Sequence, residues 1–398
     1  MFKAGVGSSV GVDPYREGVN AAKQAVDALL GSPVKAALVF ASVAYDQAKV
    51  IEGVRSVVGP NVTIAGASTA GEITTQGPSN KPSIAVMAFS SDDAEFYGAV
   101  GEHIRYNPTE AGKDVASKVM AMASGKIDLF MMLPDVLAGN GADIVRGVTE
   151  VLGPNALVVG GAAGDDFKFE KTYQYLNDTI YSGAVVGLGI KGRVLVGVGV
   201  KHGWMPIGIP RKVTKSQGAV LYELDGKPAI DIYKEYFGDL AEELEKEKLA
   251  KLAVTYPLGM KVADHPEMLI RDPISVDSDG SITCAAEMPE GSEIQLMIGS
   301  VDEAVKVAEE AAKNALKQLK GATPRAVIIF NCIARHKLFG ERAGEEISAI
   351  QKAIGKDVPL IGFYTYGEQA PMNGDVKNIK TCNAEFHNET VVICVLGE

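Results

Sequence analysis

Two short segments, one near each end of the chain, share the pattern Thr-x-Gly-Glu. They are Thr69-Ala70-Gly71-Glu72 and Thr365-Tyr366-Gly367-Glu368, and each is preceded by a further hydroxyl, from Ser68 or Tyr364. A hydroxyl and a carboxylate together could hold a small polar ligand, and the glycine permits a sharp turn that frees backbone N–H groups to face it. Turns prefer the same residue types, so a turn that binds nothing is the competing interpretation.

Each segment ends the same succession of predicted elements: a buried strand, a helix and a second buried strand. The two clear copies span residues 38–72 and 328–368, and a weaker third copy spans residues 129–165 and ends in Gly164-Asp165. Ligands of open α/β sheets bind beyond the carboxyl ends of the strands. We therefore expect the glycine-flanked acids to line a pocket shared between the two halves of the chain.

Arg335 is the strongest candidate for an anion anchor, because a planar guanidinium binds a carboxylate or phosphate through two parallel hydrogen bonds. It follows a predicted buried strand and precedes His336 and Lys337. Together with the acids it could hold both ends of an amino acid. A structural salt bridge, with Glu368 or Glu72, is the competing interpretation. The predicted ligand-binding residues are Ser68, Thr69, Gly71, Glu72, Asp165, Arg335, Tyr364, Thr365, Gly367 and Glu368.

Cys332 is the candidate nucleophile. A reactive thiolate needs a neighbouring cation, and Arg335 and His336 are close in sequence. The spacing from Cys332 to Arg335 is too short for the loop of a cysteine phosphatase, and a buried structural cysteine is the competing explanation. The adjacent acids Asp165 and Asp166 point to different sides of a chain, so we predict no metal site there.

The elements that must position these residues alternate between strands and helices. This alternation predicts an α/β fold with mostly parallel or mixed sheets. Residues 185–200 differ, since two short strands there predict a β-hairpin. Glycines recur in both at a period of two, leaving bare faces for close packing of a helix or a ligand. Residues 230–253 are strongly charged and predict a solvated helix.

Length and composition limit the remaining possibilities. A chain of 398 residues is too long for one ordinary core, so we predict two pseudo-related domains, residues 1–215 and 216–398. The net charge of −11 disfavours nucleic acids and anionic membranes as partners. The four cysteines lack CxxC spacing, and neither a signal peptide nor an apolar run of the ~18–20 residues that span a bilayer is evident. We therefore expect a cytoplasmic protein without a membrane span.

Several segments, in order from about residue 5 to residue 396, resemble the two domains of the FIST family. Those that resemble the N-terminal FIST domain are 66–73 and 160–166. Those that resemble the C-terminal FIST domain are 224–229, 256–259, 332–335, 362–368 and 386–390. The chain departs from the family at Ala334, where a Cys-x-Gly-Arg pattern would have glycine.

The resemblance implies a sensory domain of signal transduction that binds a small ligand, with amino acids proposed. Family members are often fused to an output domain, but both FIST halves together fill this chain. The first hypothesis is therefore a binding module for an amino acid or similar small carboxylate that acts on a separate signalling partner.

Two alternatives remain open. Some family members resemble haem-based nitric oxide sensors, so haem is a possible cofactor. His202 is then the first choice of axial ligand, because it follows the glycine-rich strands and has an aromatic neighbour, Trp204. The absence of CxxCH excludes covalent attachment of the c type. The second alternative is an enzyme that uses Cys332 or Glu368.

Overall fold

Three copies of one βαβαβ unit account for most of the chain, in a computed structural model that describes residues 1–238, 252–262, 265, 267–372 and 384–398. The first helix begins where the sequence dictates. Asp13 caps it by accepting a hydrogen bond from the amide of Arg16, and Pro14 is its first residue. Proline suits this position because the amide it lacks would have no partner within the helix.

The first unit contains β1 (Lys3–Ser9), α1 (Pro14–Asp27), β2 (Ala36–Ser42), α2 (Gln47–Val58), β3 (Thr63–Thr69), β4 (Glu72–Thr74), β5 (Gly77–Pro78) and β6 (Ile84–Ser90). The second contains β7 (Ala94–Gly101), α3 (Pro108–Met122), β8 (Leu129–Pro134), α4 (Gly141–Leu152), β9 (Val158–Gly161), β10 (Gln174–Leu176), β11 (Thr179–Tyr181) and β12 (Val185–Gly192).

The third unit begins with β13 (Leu195–Lys201) and is interrupted by an insertion. The insertion contains β14 (Trp204–Gln217), β15 (Val220–Leu224), β16 (Lys227–Pro228), α5 (Asp231–Phe237), β17 (Leu258–Met260), β18 (Leu269–Arg271), β19 (Pro273–Val276), β20 (Ile282–Cys284) and β21 (Glu293–Gly299). The unit resumes with α6 (Val301–Gln318), β22 (Pro324–Cys332), α7 (Ile333–Phe339), α8 (Ala343–Ile354), β23 (Leu360–Thr365), β24 (Glu368–Pro371), β25 (Ala384–His387) and β26 (Val391–Gly397).

Each unit builds a mixed six-stranded sheet whose last two strands come from another unit. The strand orders are β1-β6-β2-β3-β10-β11, β7-β12-β8-β9-β24-β25 and β13-β26-β22-β23-β4-β5. The central pair of each sheet is parallel. The first unit thus receives two strands from the second, the second from the third, and the third from the first. The predicted α/β fold with mixed sheets is confirmed, and the repeat occurs three times in full.

The three sheets share one central core. Their inner faces contribute Phe40, Leu133, Phe330 and Phe363, all fully or almost fully buried. Helices cover the outer faces: α1 and α2 pack on the first sheet, α3 and α4 on the second, and α6 and α8 on the third. Strands enclosed in this way are apolar on both faces, which explains the uninterrupted apolar runs of the sequence.

Strands from both predicted domains lie in the same sheets. The strands β4, β5 and β13 come from residues 1–215 and lie in the same sheet as β23 and β26, whereas β24 and β25 join the sheet of the second unit. The predicted boundary near residue 215 falls within β14, and it stays a prediction. The inserted strands form a sheet of their own, in the order β18-β17-β21-β14-β15-β20-β19, with β16 beside β15. Of the predicted charged helix, α5 is described, and residues 239–251 lie outside the described residues.

The predicted hairpin at residues 185–200 is wrong, although both of its strands form. The strand β12 pairs with β7 and β8, whereas β13 pairs with β26 in a different sheet. Their glycines instead allow a helix to approach closely. A Cβ atom at Gly199 would lie 1.9 Å from the carbonyl oxygen of Ala311 in α6, and one at Gly189 would lie 2.4 Å from the side chain of Val119 in α3.

Replacing Gly199 with alanine is expected to lower the free energy of unfolding by about 1–3 kcal/mol, because the added methyl group meets rigid helix backbone. Urea denaturation measures the change. Gly344→Ala is the matched control, since a Cβ atom there meets nothing within 4 Å. Equal stability of the two variants would show that α6 shifts without a penalty.

Candidate functional site

The two Thr-x-Gly-Glu segments form the turns at which the chain leaves one sheet and enters the next. Gly71 has a φ of 127° and Gly367 a φ of 146°, a range that favours glycine. Each threonine hydroxyl accepts a hydrogen bond from the glycine amide, at 3.2 Å for Gly71 and 3.1 Å for Gly367, and donates one to the following glutamate. The pattern therefore specifies a turn, as the competing interpretation held.

A second hydroxyl completes the environment of each glutamate. Ser83 donates to Glu72, and Thr390 donates to Glu368 at 2.7 Å. Burial raises the pKa of both glutamates to about 7, against the opposing effect of these hydroxyls. Among the described residues, no hydrogen bond joins the two carboxyls, and neither lines the cavity of about 600 Å³ beside Asp135. The structure gives the two acids equivalent positions in their own units, and a shared ligand pocket between them stays a prediction.

Strand pairing assigns the third equivalent position to Gln174 rather than to the predicted Asp165. Gln174 in β10 lies opposite β3 in the same register in which Glu72 lies opposite β23 and Glu368 lies opposite β9. All three side chains lie on faces that point toward the central core, as their neighbours on the same faces do. No Thr-x-Gly-Glu pattern precedes Gln174, so the sequence offered no signal for it.

The third position lacks the two hydroxyls that donate to Glu72 and Glu368, although Gln174 donates from Nε2 to the hydroxyl oxygen of Thr172 at 3.2 Å. The amide of Asp135 donates a hydrogen bond to the carbonyl of Ala184. Ala184 thus occupies the position that Ser83 has in the first unit and Thr390 has in the third. The register of β8 with β9 likewise places Ala163 where the other units have threonine. Alanines thus replace both hydroxyl donors at the third position, where an amide replaces the carboxyl.

Asp165 organises the loop that follows β9. Its carboxylate accepts hydrogen bonds from the amides of residues 169–171 at 2.7–2.9 Å and from the hydroxyl of Tyr366 at 2.5 Å. Burial favours a higher pKa for Asp165, but the Tyr366 hydroxyl and these amides outweigh it and lower the pKa. The loop also reaches the first unit, where Ser42 donates to Asp166 at 2.8 Å. Asp165 is therefore committed to its own loop and is not open to a ligand.

Two further predicted ligand residues are also held inside the protein. The hydroxyl of Ser68 donates to the carbonyl of Gly164 at 2.7 Å and accepts from the amide of Tyr173 at 2.8 Å. The ring of Tyr364 is fully buried beside His336, with the ring centroids 4.3 Å apart. Ser68 therefore has a structural role.

Arg335 is a structural residue, and its prediction as an anion anchor is wrong. The side chain is fully buried, and its Nε and Nη2 atoms donate to Oε1 of Glu346 at 3.0 and 2.5 Å. The remaining contacts are with the carbonyls of Ala304, at 3.0 Å, and His202. A salt bridge was the competing interpretation, but its partner is Glu346, which sequence analysis did not identify.

Cys332 lacks the surroundings of a nucleophile. Burial, reinforced by Glu368 and Glu389, raises the pKa of its thiol well above the ordinary value. Activation requires the opposite shift, and the guanidinium of Arg335 is occupied by Glu346. The enzyme hypothesis therefore loses its candidate nucleophile, and Glu368 is engaged by Thr365 and Thr390.

His202 does not fit the role of a haem ligand. Its Nδ1 accepts the amide hydrogen of Trp204 at 3.0 Å, so the neutral ring carries its proton on Nε2. A metal-binding histidine normally donates its second N–H to an acceptor, whereas here Nδ1 is itself the acceptor. Burial, with Arg335 nearby, lowers the pKa of His202 to about 3. The residues present therefore give no support for haem at this position.

A cluster of unpartnered acceptors lies where the third unit meets the inserted sheet, and we call it the acceptor cluster. It comprises Asp272, which follows β18, and Asn388 and Glu389, which form the turn before β26. Glu389 is fully buried, and within the part of the chain that the structure describes neither of its carboxyl oxygens has a hydrogen-bond partner. The same holds for Oδ1 of Asn388 and Oδ1 of Asp272.

The acceptor cluster is electrostatically unusual. Burial, with Asp272 nearby, raises the pKa of Glu389 well above its ordinary value, and burial raises that of Asp272 to about 7. Lys337, whose ammonium lies 3.5 Å from the ring centroid of Phe167, opposes the shift at Asp272. Glu389 also has a φ of 57°, a conformation that few residues other than glycine adopt without strain. In the sequence, residues 386–390 indicate only a resemblance to a family, and no pattern predicts the cluster.

Two other features bear on function. Within the described ranges, no group of histidine, cysteine and acidic side chains is arranged to hold a metal ion. The helices described there are each too short or too polar to cross a membrane.

Comparison with known proteins gives matches along most of the chain. The family model of the FIST N domain matches residues 35–227, and that of the FIST C domain matches residues 229–371. An uncharacterized protein of Mycobacterium tuberculosis is 26% identical over 380 residues, which cover 94% of this chain and 96% of the relative. An uncharacterized protein of Methanocaldococcus jannaschii is 25% identical over 350 residues, or 80% of this chain and 66% of the relative. Among solved structures, T. maritima PurL complexed with ADP overlaps 100% of this chain and 71% of its own at 10% identity and a TM-score of 0.25. That score is too low to carry an argument.

Proposed function

The chain belongs to the FIST family, and from this membership we propose that it is a sensory protein that binds a small ligand at the acceptor cluster of Asp272, Asn388 and Glu389. FIST domains are associated with sensing in signal transduction. The proposal moves the ligand site away from the Thr-x-Gly-Glu turns. It keeps the sensory function and a separate signalling partner, on which the ligand-bound chain would act.

The observation that carries the proposal is the buried carboxyl of Glu389, with neither oxygen hydrogen-bonded among the described residues. A buried polar group left without a partner costs about 1–3 kcal/mol, and more if it is charged. Native proteins keep such groups chiefly where a ligand, a water molecule or a function uses them. Four unpartnered oxygens in one cluster favour a ligand that supplies several N–H donors.

The unpartnered acceptor oxygens need hydrogen-bond donors, and this need also restricts the chemical class of the ligand. A simple carboxylate would bring further acceptors to a site that already has them in excess, and Arg335 is bound to Glu346. An amino acid instead offers an ammonium group with three N–H donors. We therefore favour an amino acid over a small carboxylate that lacks an amino group.

The position of the acceptor cluster suggests how occupancy would be transmitted. Asp272 belongs to the inserted sheet, whereas Asn388 and Glu389 belong to the third unit. A ligand that bonds both sides would restrain the inserted sheet against the three-unit core. The partner protein would then distinguish the restrained form from the free form.

Amino acids are expected to raise the melting temperature of the wild-type protein and to leave that of Glu389→Gln unchanged. At a ligand concentration 100 times Kd, the stabilisation amounts to about 2.7 kcal/mol. A thermal shift screen of the twenty amino acids, followed by calorimetry, measures it. Glu385→Gln is the matched control, because Glu385 lies in the neighbouring strand β25 and interacts instead with Arg271 and Glu287. If Glu389→Gln binds as tightly as the control, the acceptor cluster is not the ligand site.

A further inference from the structure

We infer that the acceptor cluster binds a primary ammonium group in exchange for a proton that its acids hold when the site is empty. The inference rests on the proposed function and deepens it by specifying the charge of the ligand and the ion that leaves. It is carried by the fully buried carboxyl of Glu389, whose two oxygens lack a hydrogen-bond partner among the described residues, as does Oδ1 of the adjacent Asn388.

The four acidic groups of this region affect one another. Burial raises the pKa of Glu389; Asp272 and Glu368 raise it further, and Arg335 opposes them. Burial and the same three acids raise the pKa of Cys332. Acids buried close together cannot all be ionised, because each carboxylate has lost its hydration and repels the others. The empty site therefore retains protons at neutral pH.

The positive and polar groups that face the acids are largely committed elsewhere. The guanidinium of Arg335 bonds Glu346, the hydroxyl of Tyr233 donates to the carbonyl of Tyr256 at 2.8 Å, and Nε2 of His387 lies 3.0 Å from the carbonyl of Ala370. Lys337 acts on Asp272. Of the four acids, Glu389 is the one whose two carboxyl oxygens both lack a bond among the described residues.

An ammonium group matches both the charge and the number of acceptors. Its three N–H donors correspond to the two oxygens of Glu389 and Oδ1 of Asn388. The positive charge stabilises the ionised form of Glu389, so the carboxyl loses its proton to solvent as the ligand enters. The overall step converts a carboxylic acid and a free ammonium ion into a carboxylate–ammonium pair and one released proton.

Proton release fixes the direction of the pH dependence. Below the folded pKa of Glu389, each rise of one pH unit removes a cost of ionisation and tightens binding by about tenfold. A ligand with the same shape but no charge gains nothing from ionised Glu389. An alcohol would therefore bind weakly and without this dependence on pH.

The test is isothermal titration calorimetry of the full chain with n-propylammonium, with n-propanol as the uncharged counterpart. We expect propylammonium to bind more tightly at pH 7.5 than at pH 6.5, by up to about tenfold, and to release up to one proton, read from heats in phosphate and MOPS buffers, which carry no primary amine. Propanol should bind at least tenfold more weakly. Glu389→Gln should abolish proton release, whereas Glu385→Gln should preserve it.

A second arm separates this inference from the proposed function. An amino acid identified by the thermal screen is titrated beside its N-acetyl derivative, whose amino group is blocked. Binding of the amino acid without proton release, or equal binding of the derivative, overturns the inference and leaves the sensory proposal intact. If neither amino acids nor propylammonium bind the wild-type protein, both fall. The wild-type measurements decide these outcomes even if Glu389→Gln fails to fold.

Discussion

Replacing Arg335 with alanine will lower the free energy of unfolding by about 3–5 kcal/mol, the range for breaking a buried ion pair. The substitution leaves the carboxylate of Glu346 buried and removes donors from the carbonyls of His202 and Ala304. It also removes the guanidinium from between the rings of Trp204 and Phe339, 5.6 and 5.5 Å away. Urea denaturation followed by circular dichroism measures the loss.

Two variants make this result specific. Arg342→Ala removes an ion pair with Asp302 and Glu345 at the protein surface, and little change in stability is expected because exposed pairs are screened by solvent. Arg335→Lys retains the charge but lacks the planar fork, so it should recover only a small part of the loss. A loss for Arg335→Ala no greater than that for Arg342→Ala would contradict the assignment of Arg335 as a structural residue.

Introducing an acid at the third equivalent position, with Gln174→Glu, will destabilise the protein by about 3–4 kcal/mol at pH 7. Gln174 is fully buried, and Ala163 and Ala184 supply none of the hydroxyls that Glu72 and Glu368 receive. The pKa of the new carboxyl will be raised in the folded state. The penalty is therefore absent below the unfolded pKa of about 4 and grows by about 1.4 kcal/mol per pH unit as pH rises toward the folded pKa.

A double-mutant cycle tests the reason for this effect. Ala184→Ser places a hydroxyl where the first unit has Ser83, facing Gln174, whose Oε1 has no hydrogen-bond partner among the described residues. When Ala184→Ser is combined with Gln174→Glu, it should restore about 1–2 kcal/mol of the stability lost, measured as a coupling free energy from urea denaturation at pH 7. Strictly additive effects would show that the third position is not equivalent to the other two.

Much of the fold could be predicted from the sequence, because the signals for strands and turns are local. The apolar runs 38–42 and 328–332 formed the strands expected of them, and Thr-x-Gly-Glu formed a turn in both places. In the third copy, sequence order and strand pairing point to different residues, Asp165 and Gln174. A loop of residues 162–173 separates β9 from β10, so the acid that follows glycine in the sequence is not the residue that strand pairing makes equivalent.

The candidate site was harder to predict because its partners are distant along the chain. Arg335 was identified, but its partner Glu346 depends on how α7 and α8 pack, which spacing alone does not fix. The acceptor cluster joins residue 272 to residues 388 and 389 across two sheets. Its signal is the absence of hydrogen bonds within the described part of the chain, which the order of residues in the sequence does not reveal.

The cyclic exchange of strands has a consequence for synthesis on the ribosome. The first sheet cannot close until residue 181 has emerged, and the second must wait until residue 387. Until then the nascent chain presents open β-edges, which readily pair with other chains, and contacts between distant residues form slowly. Each unit can therefore complete its sheet only after the unit that supplies its last two strands is available. A polypeptide of this topology depends on rapid completion, or on chaperones that shield its edges in the meantime.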